Sequence, residues 1–214
     1  MVDAKVYINA PGFFVLYVNG KRVGKEVLSS PVSVWEKTLW VNRYLIKKYL
    51  KDGENELLVL CGNGYYNESV QSVWNIDKEK NRDLSKFALA CFINGEKVVE
   101  SDNTWKYTYN SPITFSELRM GEYTDLRKNL SDSDVVWKNA IIDSRPPHGK
   151  LKIFDCPPVR ECERLKPKEI RMRNDGAFVV DFGKNISGYI ELRALIGCGK
   201  EVSITYCEVL DGNL

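Results

Sequence analysis

Apolar and polar residues alternate along most of the chain with the period of β-strands. The clearest signal comes from two apolar runs, residues 13–18 and 87–93, which lead into Asn19-Gly20 and Asn94-Gly95 respectively. An Asn-Gly pair between strand-like runs predicts a type I′ hairpin, because both central residues of that turn need positive φ. The sequence therefore predicts two antiparallel hairpins.

Further strands are predicted on both sides of the middle of the chain. Residues 56–61 form a short apolar run, and residues 178–182, 189–195 and 200–209 have strand character. Residues 43–50 fit a turn or two of helix, and no long amphipathic helix is predicted. The predicted chain is mostly β.

Two proline pairs, Pro146-Pro147 and Pro157-Pro158, mark a predicted domain boundary. Proline cannot donate a ladder hydrogen bond and stiffens the chain. We therefore predict a first domain over residues 1–145, a connector over residues 146–158 and a partial second domain over residues 159–214.

Composition excludes several classes of protein. The chain has 214 residues, of which 43% are hydrophobic, so it can form a packed core. Its 31 basic and 29 acidic residues are interspersed, which predicts no nucleic-acid or membrane partner. No apolar run is long enough to span a membrane. The absence of a visible signal peptide favours the cytoplasm, although a truncated N-terminus would hide such a signal.

Residues that commonly carry catalysis or bind metals lack a suitable pattern. The single histidine, His148, lies in the predicted connector, which is a poor place to hold an imidazole. The six cysteines lack zinc or redox spacing and are predicted to be buried free thiols in a reducing compartment. Phosphate-binding glycine motifs are absent. We predict no cofactor and no metal.

Three neighbouring carboxylates, Glu117, Glu122 and Asp125, raise the question of a glycosidase pair, which needs only two such groups across a sugar. Because Arg119 and Arg127 are interleaved with them, we interpret these acids as ion-paired loop anchors. No catalytic residue is predicted in this chain.

Aromatic and amide side chains in or beside a long polar loop are the candidate carbohydrate-binding site. An aromatic ring can stack on the C–H face of a sugar while polar neighbours bind its hydroxyls, and loops on rigid scaffolds often carry binding residues. The alternative is that the loop packs against its own sandwich. The candidates are Asn63, Tyr65, Tyr66, Asn67 and Trp74.

Residues 181–188, read as D-F-G-K-N-I-S-G, attract attention because they combine an acid, a lysine and an amide. No histidine or second base accompanies them in sequence. Gly183 and Asn185 suit a turn between strands, so Asp181 is predicted to hold that turn rather than to act in catalysis.

Several motifs, taken in order, resemble the N-terminal portion of the bacterial α-L-rhamnosidase family. They are N-G-K-x-V-G at 19–24, G-E-N at 53–55, G-N-G-Y-Y at 62–66, G-E-x-x-D-x-R at 121–127, P-P-x-R at 157–160 and D-F-G-x-N-x-x-G at 181–188. The first two are weak signals alone, since the jelly rolls of β-galactosidase-like enzymes look similar, whereas the last three in sequence are strong. Departures from the family pattern fall on Tyr65, Leu126, Lys184 and Tyr189.

The resemblance implies an all-β fold: a jelly-roll-like antiparallel β-sandwich followed by the first strands of a second β-sandwich. It also implies that the catalytic acids belong to a helical barrel outside this chain, so this chain is a fragment and a non-catalytic accessory region. The implied partners are that catalytic barrel and rhamnose-containing glycans. The alternatives are a stand-alone carbohydrate-binding module, the sugar-binding domain of a β-galactosidase-like hydrolase, or a small hydrolase.

Exposed edge strands of the partial second domain lead to one further hypothesis. Because an uncovered strand edge invites pairing, a second copy of the chain would cover it and make a homo-oligomer. A strictly monomeric light-scattering profile at high concentration would contradict this hypothesis.

Overall fold

The computed structural model describes residues 3–68, 84–118, 120–193 and 202–208. This part of the chain is all-β, as predicted, apart from one turn of 3-10 helix at Lys47–Tyr49. None of the described residues belongs to a helix long and apolar enough to cross a membrane. The strands are β1 (Ala4–Asn9), β2 (Phe13–Val18), β3 (Lys21–Val23), β4 (Thr38–Leu45), β5 (Leu57–Gly62), β6 (Ala88–Ile93), β7 (Glu96–Glu100), β8 (Lys106–Tyr107), β9 (Ile113–Glu117), β10 (Gly121–Thr124), β11 (Lys138–Asn139), β12 (Lys150–Ile153), β13 (Glu169–Met172) and β14 (Phe178–Asp181).

Two sheets share the core of the first compact unit, which spans Met1–Glu161. A five-stranded sheet has the order β12-β4-β1-β6-β7, and a three-stranded sheet has the order β3-β2-β5. Alternate residues of β1 and β2 point into one buried cluster, as the period of two requires. The most buried side chains of that cluster are Val6, Ile8, Leu16, Val18 and Ile46.

Both predicted Asn-Gly hairpins are confirmed. Asn19 and Gly20 have φ of 51° and 72° and join β2 to β3. Asn94 and Gly95 have φ of 53° and 88° and join β6 to β7. Positive φ at both central positions is the geometry that makes this dipeptide a turn signal.

The turn or two of helix predicted for residues 43–50 is confirmed only at Lys47–Tyr49 and is wrong for residues 43–45. Strand β4 continues to Leu45 between β1 and β12, and only Lys47–Tyr49 turn, as a 3-10 helix. Tyr44 lies in the core opposite Val6 of β1, so strand pairing and burial override the local pattern.

Within the residues predicted as connector, Lys150–Ile153 form β12 and pair in parallel with β4. Gly149 makes this possible because a Cβ there would lie 2.4 Å from the Trp35 carbonyl oxygen. Further on, the Val27 amide donates to the Val159 carbonyl at 2.9 Å, within the same unit. The limits predicted for the two domains remain predictions.

The second unit, Cys162–Leu214, contains the β13–β14 hairpin among its described residues. The strands predicted over residues 189–195 and 200–209 are wrong where the structure describes them, since 189–193 and 202–208 form no strand. Their apolar side chains are exposed, for example Leu192 at 52% and Val202 at 52%. Alternation alone does not make a strand when no described neighbour pairs with it.

Candidate functional site

The predicted site centres on a tight turn that follows β5. The Asn67 amide donates to the Asn63 carbonyl at 3.2 Å, which closes the turn. Gly64 has φ of +57°, and a Cβ there would lie 2.7 Å from the Phe13 backbone nitrogen. Glycine is therefore required for both the backbone conformation and the close approach. The turn thus brings Asn63, Tyr65, Tyr66 and Asn67 together at one end of the three-stranded sheet.

The two tyrosine rings of this turn pack against the sandwich. Tyr65 meets Phe13 edge-on, with ring centroids 5.9 Å apart. Tyr66 meets the buried Trp35 edge-on at 5.2 Å. Both side chains are half-buried. These contacts are typical of aromatic packing pairs.

Lys86 approaches Tyr66 from a distant part of the chain. Its ammonium lies 5.8 Å from the ring centroid, within cation–π range. The same ammonium forms an ion pair with the Asp143 carboxylate. The hydrogen bond from Lys86, followed by that from the Arg145 amide, lowers the pKa of Asp143 below its ordinary value.

Sequence reasoning missed Trp35, Lys86 and Asp143 as neighbours of this turn. Lys86 and Asp143 are 57 residues apart, and no local motif links them. They become neighbours only through the packing of the first unit.

The Asn67 side chain is the chemically unusual group of the turn. Its Nδ2 and Oδ1 atoms are buried and have no hydrogen-bond partner among the described residues. Buried amides are normally satisfied by protein or water, so such an amide calls for a partner. Trp74, the remaining predicted site residue, lies outside the described residues.

Two motif asparagines form a clamp on the opposite end of β2. Asn19 Nδ2 donates to the Tyr49 carbonyl at 2.9 Å and to Asn55 Oδ1 at 2.8 Å, and the Glu56 amide donates back to Asn19 Oδ1 at 3.0 Å. Asn55 in turn bonds the backbone of Lys51 and Gly53. The N-G and G-E-N motifs are therefore one hydrogen-bonded structure.

In the segment that carries Glu117, Glu122 and Asp125, an ion pair between Asp125 and Arg127 holds the loop. Arg127 donates to both Asp125 carboxylate oxygens, at 2.8 Å and 2.9 Å. These bonds lower the pKa of Asp125 to about 2. Glu122 accepts the Thr124 hydroxyl at 2.8 Å, and Glu117 is buried. The predicted Asp125–Arg127 pairing is confirmed, whereas Arg119 lies outside the described residues.

Asp181 holds a turn, as predicted from residues 181–188. The Gly183 amide donates to Asp181 Oδ1 at 2.6 Å, and Gly183 has φ of +75°. Lys184, from the same stretch, pairs with Glu163 at 2.9 Å. This arrangement is an Asx turn that leaves β14.

The cysteine prediction is partly wrong. Cys91 is buried, and burial raises the pKa of Cys61 to about 12. Cys156, Cys162 and Cys207, however, are exposed, because the segments that carry them lie outside the shared core. Within the described ranges, no group of three or more His, Cys, Asp or Glu side chains is placed to hold a metal ion.

Comparison with protein families matches almost the whole chain. The model of the α-L-rhamnosidase N-terminal domain matches residues 1–163, and the model of the bacterial α-L-rhamnosidase concanavalin-like domain matches residues 171–214.

Individual relatives agree. An α-L-rhamnosidase from Formosa agariphila is 29% identical over 97% of this chain, which spans 23% of that relative. One from Streptomyces avermitilis is 24% identical over 97% of this chain, which spans 21% of it. The chain thus spans less than a quarter of the length of these curated relatives.

Solved structures share the fold. The α-L-rhamnosidase from Dictyoglumus thermophilum has a TM-score of 0.71 and 33% identity over 86% of this chain and 20% of that one. The Streptomyces avermitilis enzyme complexed with L-rhamnose has a TM-score of 0.72 and 22% identity over 86% of this chain and 18% of that one. With family models that match residues 1–163 and 171–214, this chain belongs to the α-L-rhamnosidase family.

Proposed function

We propose that this chain is a non-catalytic accessory region that supports the catalytic domain of an α-L-rhamnosidase. The observation that carries the proposal is the match of residues 1–163 to the N-terminal domain of that family, in a chain spanning only 23% of a curated relative. The paired and anchored state of Asp125 and the buried state of Glu117 support the same assignment. In this role the hydrogen-bonded clamp of Asn19 and Asn55 and the aromatic packing of Tyr65 and Tyr66 stabilise the fold.

A rhamnoside-cleavage assay tests the non-catalytic role. The purified chain should not release p-nitrophenol from p-nitrophenyl α-L-rhamnoside, and Glu122→Gln and Asp125→Asn variants should be indistinguishable from it. Cleavage by the chain that is lost in either variant would overturn the proposal. A polypeptide in which a helical-barrel sequence follows Leu214 should cleave the substrate. Such a sequence would also distinguish the accessory role from a stand-alone carbohydrate-binding module.

Carbohydrate contact by the turn at residues 63–67 is a second candidate function. The supporting observation is the buried Asn67 amide, which has a donor and an acceptor free among the described residues. Trp35, in contact with Tyr66, is a natural fluorescence reporter. Addition of rhamnosylated glycans should change tryptophan emission, and no response up to about 10 mM would leave the turn a structural role.

Self-association through the second unit is part of the same proposal. One face of the β13–β14 hairpin consists of exposed apolar side chains, which a second copy would cover. These are Ile170, Met172, Phe178 and Val180. Light scattering at high concentration decides this point, since a strictly monomeric profile would contradict it.

A further inference from the structure

A cavity of about 300 Å³ lies beside the β8–β11 pair, within the first unit. Its lining combines apolar surface with an amide, a carboxylate and an ammonium group. The residues concerned are Tyr107, Tyr109, Asn110, Asp134, Val136 and Lys138. A concave surface with a few converging polar groups is the usual form of a small-ligand site, and this volume is at the lower end of the range.

The two tyrosine rings form one wall. Tyr107 ends β8, and Tyr109 lies two residues further on, in the bend that follows the strand. Their centroids are 5.5 Å apart at an interplanar angle of 78°, so the edge of one ring meets the face of the other. Tyr109 nevertheless remains 69% exposed. An open aromatic face of this kind is available to a ligand.

The charged groups that line the cavity are the Asp134 carboxylate and the Lys138 ammonium. Among the described residues, neither Asp134 nor Lys138 has an ion-pair or hydrogen-bond partner through its side chain. Lys138 lies opposite Tyr107 in the β8–β11 register, which fixes its place at the cavity. By contrast, Asp125 and Asp143 are both engaged by cationic side chains.

The charge balance selects the ligand class. The Asp134 carboxylate repels an anion and the Lys138 ammonium repels a cation. The two together suit a neutral ligand rich in hydroxyl groups. The Tyr109 face suits the C–H surface of a pyranose ring, and the Asn110 amide can both donate and accept. A purely apolar ligand would leave both charges desolvated.

We propose that this cavity binds a neutral saccharide, with a pyranoside ring on Tyr109 and hydroxyls on Asp134, Asn110 and Lys138. The choice of a rhamnoside as the probe rests on the proposed function, whereas the class of ligand rests on the cavity itself.

Titration of the isotope-labelled chain with methyl α-L-rhamnopyranoside, followed by amide chemical shifts, tests this proposal. Shifts should centre on residues 107–110 and 134–138. Tyr109→Ala should weaken binding by about tenfold or more. Tyr123→Ala is the matched control, because Tyr123 of β10 is 65% exposed and does not line the cavity. A second matched pair is Lys138→Ala against Lys106→Ala, both in the same two-stranded sheet.

Three outcomes would overturn the proposal: no shift up to about 10 mM with this rhamnoside or a panel of other neutral methyl pyranosides, shifts confined to other residues, or equal weakening by Tyr109→Ala and Tyr123→Ala. Shifts confined to residues 63–67 would instead support the other carbohydrate site. Failure here leaves the cleavage assay unaffected, so the accessory role and the saccharide site can fail separately.

Discussion

Two tyrosine pairs of the first unit have opposite surroundings. Tyr65 and Tyr66 are consecutive in a turn, and each ring packs on a different aromatic side chain of the sandwich, Phe13 and Trp35. Tyr107 and Tyr109 are two residues apart, pack on each other and leave one ring largely exposed. The first pair looks like part of the core boundary, whereas the second resembles a binding surface.

The difference shows that an aromatic residue in a loop does not by itself indicate a binding site. The two pairs differ in whether the charged side chains beside the rings already form ion pairs with other protein groups. Lys86 beside Tyr66 pairs with Asp143, whereas Lys138 and Asp134 beside Tyr109 have no such partners in the described part of the chain. Substitutions can therefore distinguish a structural pair from a binding pair.

The largest effect is expected at Gly64, which allows the first pair to pack. Gly64→Ala would force positive φ on alanine and place a Cβ 2.7 Å from the Phe13 backbone nitrogen. We expect the free energy of unfolding to fall by about 3 kcal/mol, from roughly 1 kcal/mol of backbone strain plus the clash. Denaturant unfolding measures this change.

Gly95→Ala is the matched control for that substitution. Gly95 also has positive φ, +88°, but a Cβ added there would have no atom within 4 Å. Gly95→Ala should therefore lower the free energy of unfolding only by the backbone strain, about 1 kcal/mol. Equal losses in the two variants would mean that the close approach of the turn to Phe13 contributes nothing.

Truncation of one ring from each pair should give the next largest contrast. Tyr66→Ala removes a half-buried ring from Trp35, and we expect a loss of about 2 kcal/mol. Tyr109→Ala removes a ring that is 69% exposed, and we expect a loss within about 0.5 kcal/mol. Thermal and denaturant unfolding of both variants measure the contrast, and a reversed order would contradict the assignment of the two pairs.

Local chemistry explains which parts of the fold could be predicted from sequence. The Asn-Gly hairpins and the Asp181 turn depend on φ preferences and on hydrogen bonds within a few residues. The pairing of Asp125 with Arg127 is equally local. Each of these predictions is confirmed because it depends on interactions between residues that are close in sequence.

Contacts between distant segments explain what could not be predicted. Residues 43–45 look helical alone but are held in β4 by pairing with β1, and Lys150–Ile153 become a strand by pairing with β4. The spacing of Tyr107 and Tyr109 was no reliable signal, because the period of two applies within a strand and β8 ends at Tyr107. The approach of Asp134 and Val136 to those rings had no signal either, because it depends on tertiary packing.

The smallest effect concerns the charges beside Tyr66. Because Lys86 lowers the pKa of Asp143, the folded state favours the ionised carboxylate. The resulting stabilisation is present above the ordinary pKa near 3.8 and is lost as pH falls through the lowered value in the folded state. We expect Lys86→Met to cost about 0.5 kcal/mol at neutral pH, since the pair is only partly buried.

Titration of the Asp143 carboxyl carbon by NMR checks the cause directly. In Lys86→Met the pKa of Asp143 should rise toward its ordinary value, while methionine still covers the Tyr66 ring. Lys97→Met is the matched control, because Lys97 pairs with Glu100 in the exposed β7 strand and should leave the pKa of Asp143 unchanged. The same Asp143 pKa in the wild type and in Lys86→Met would show that Lys86 does not form an effective ion pair with Asp143. In that case the lysines beside the two tyrosine pairs would no longer differ, and the contrast would rest on the rings alone.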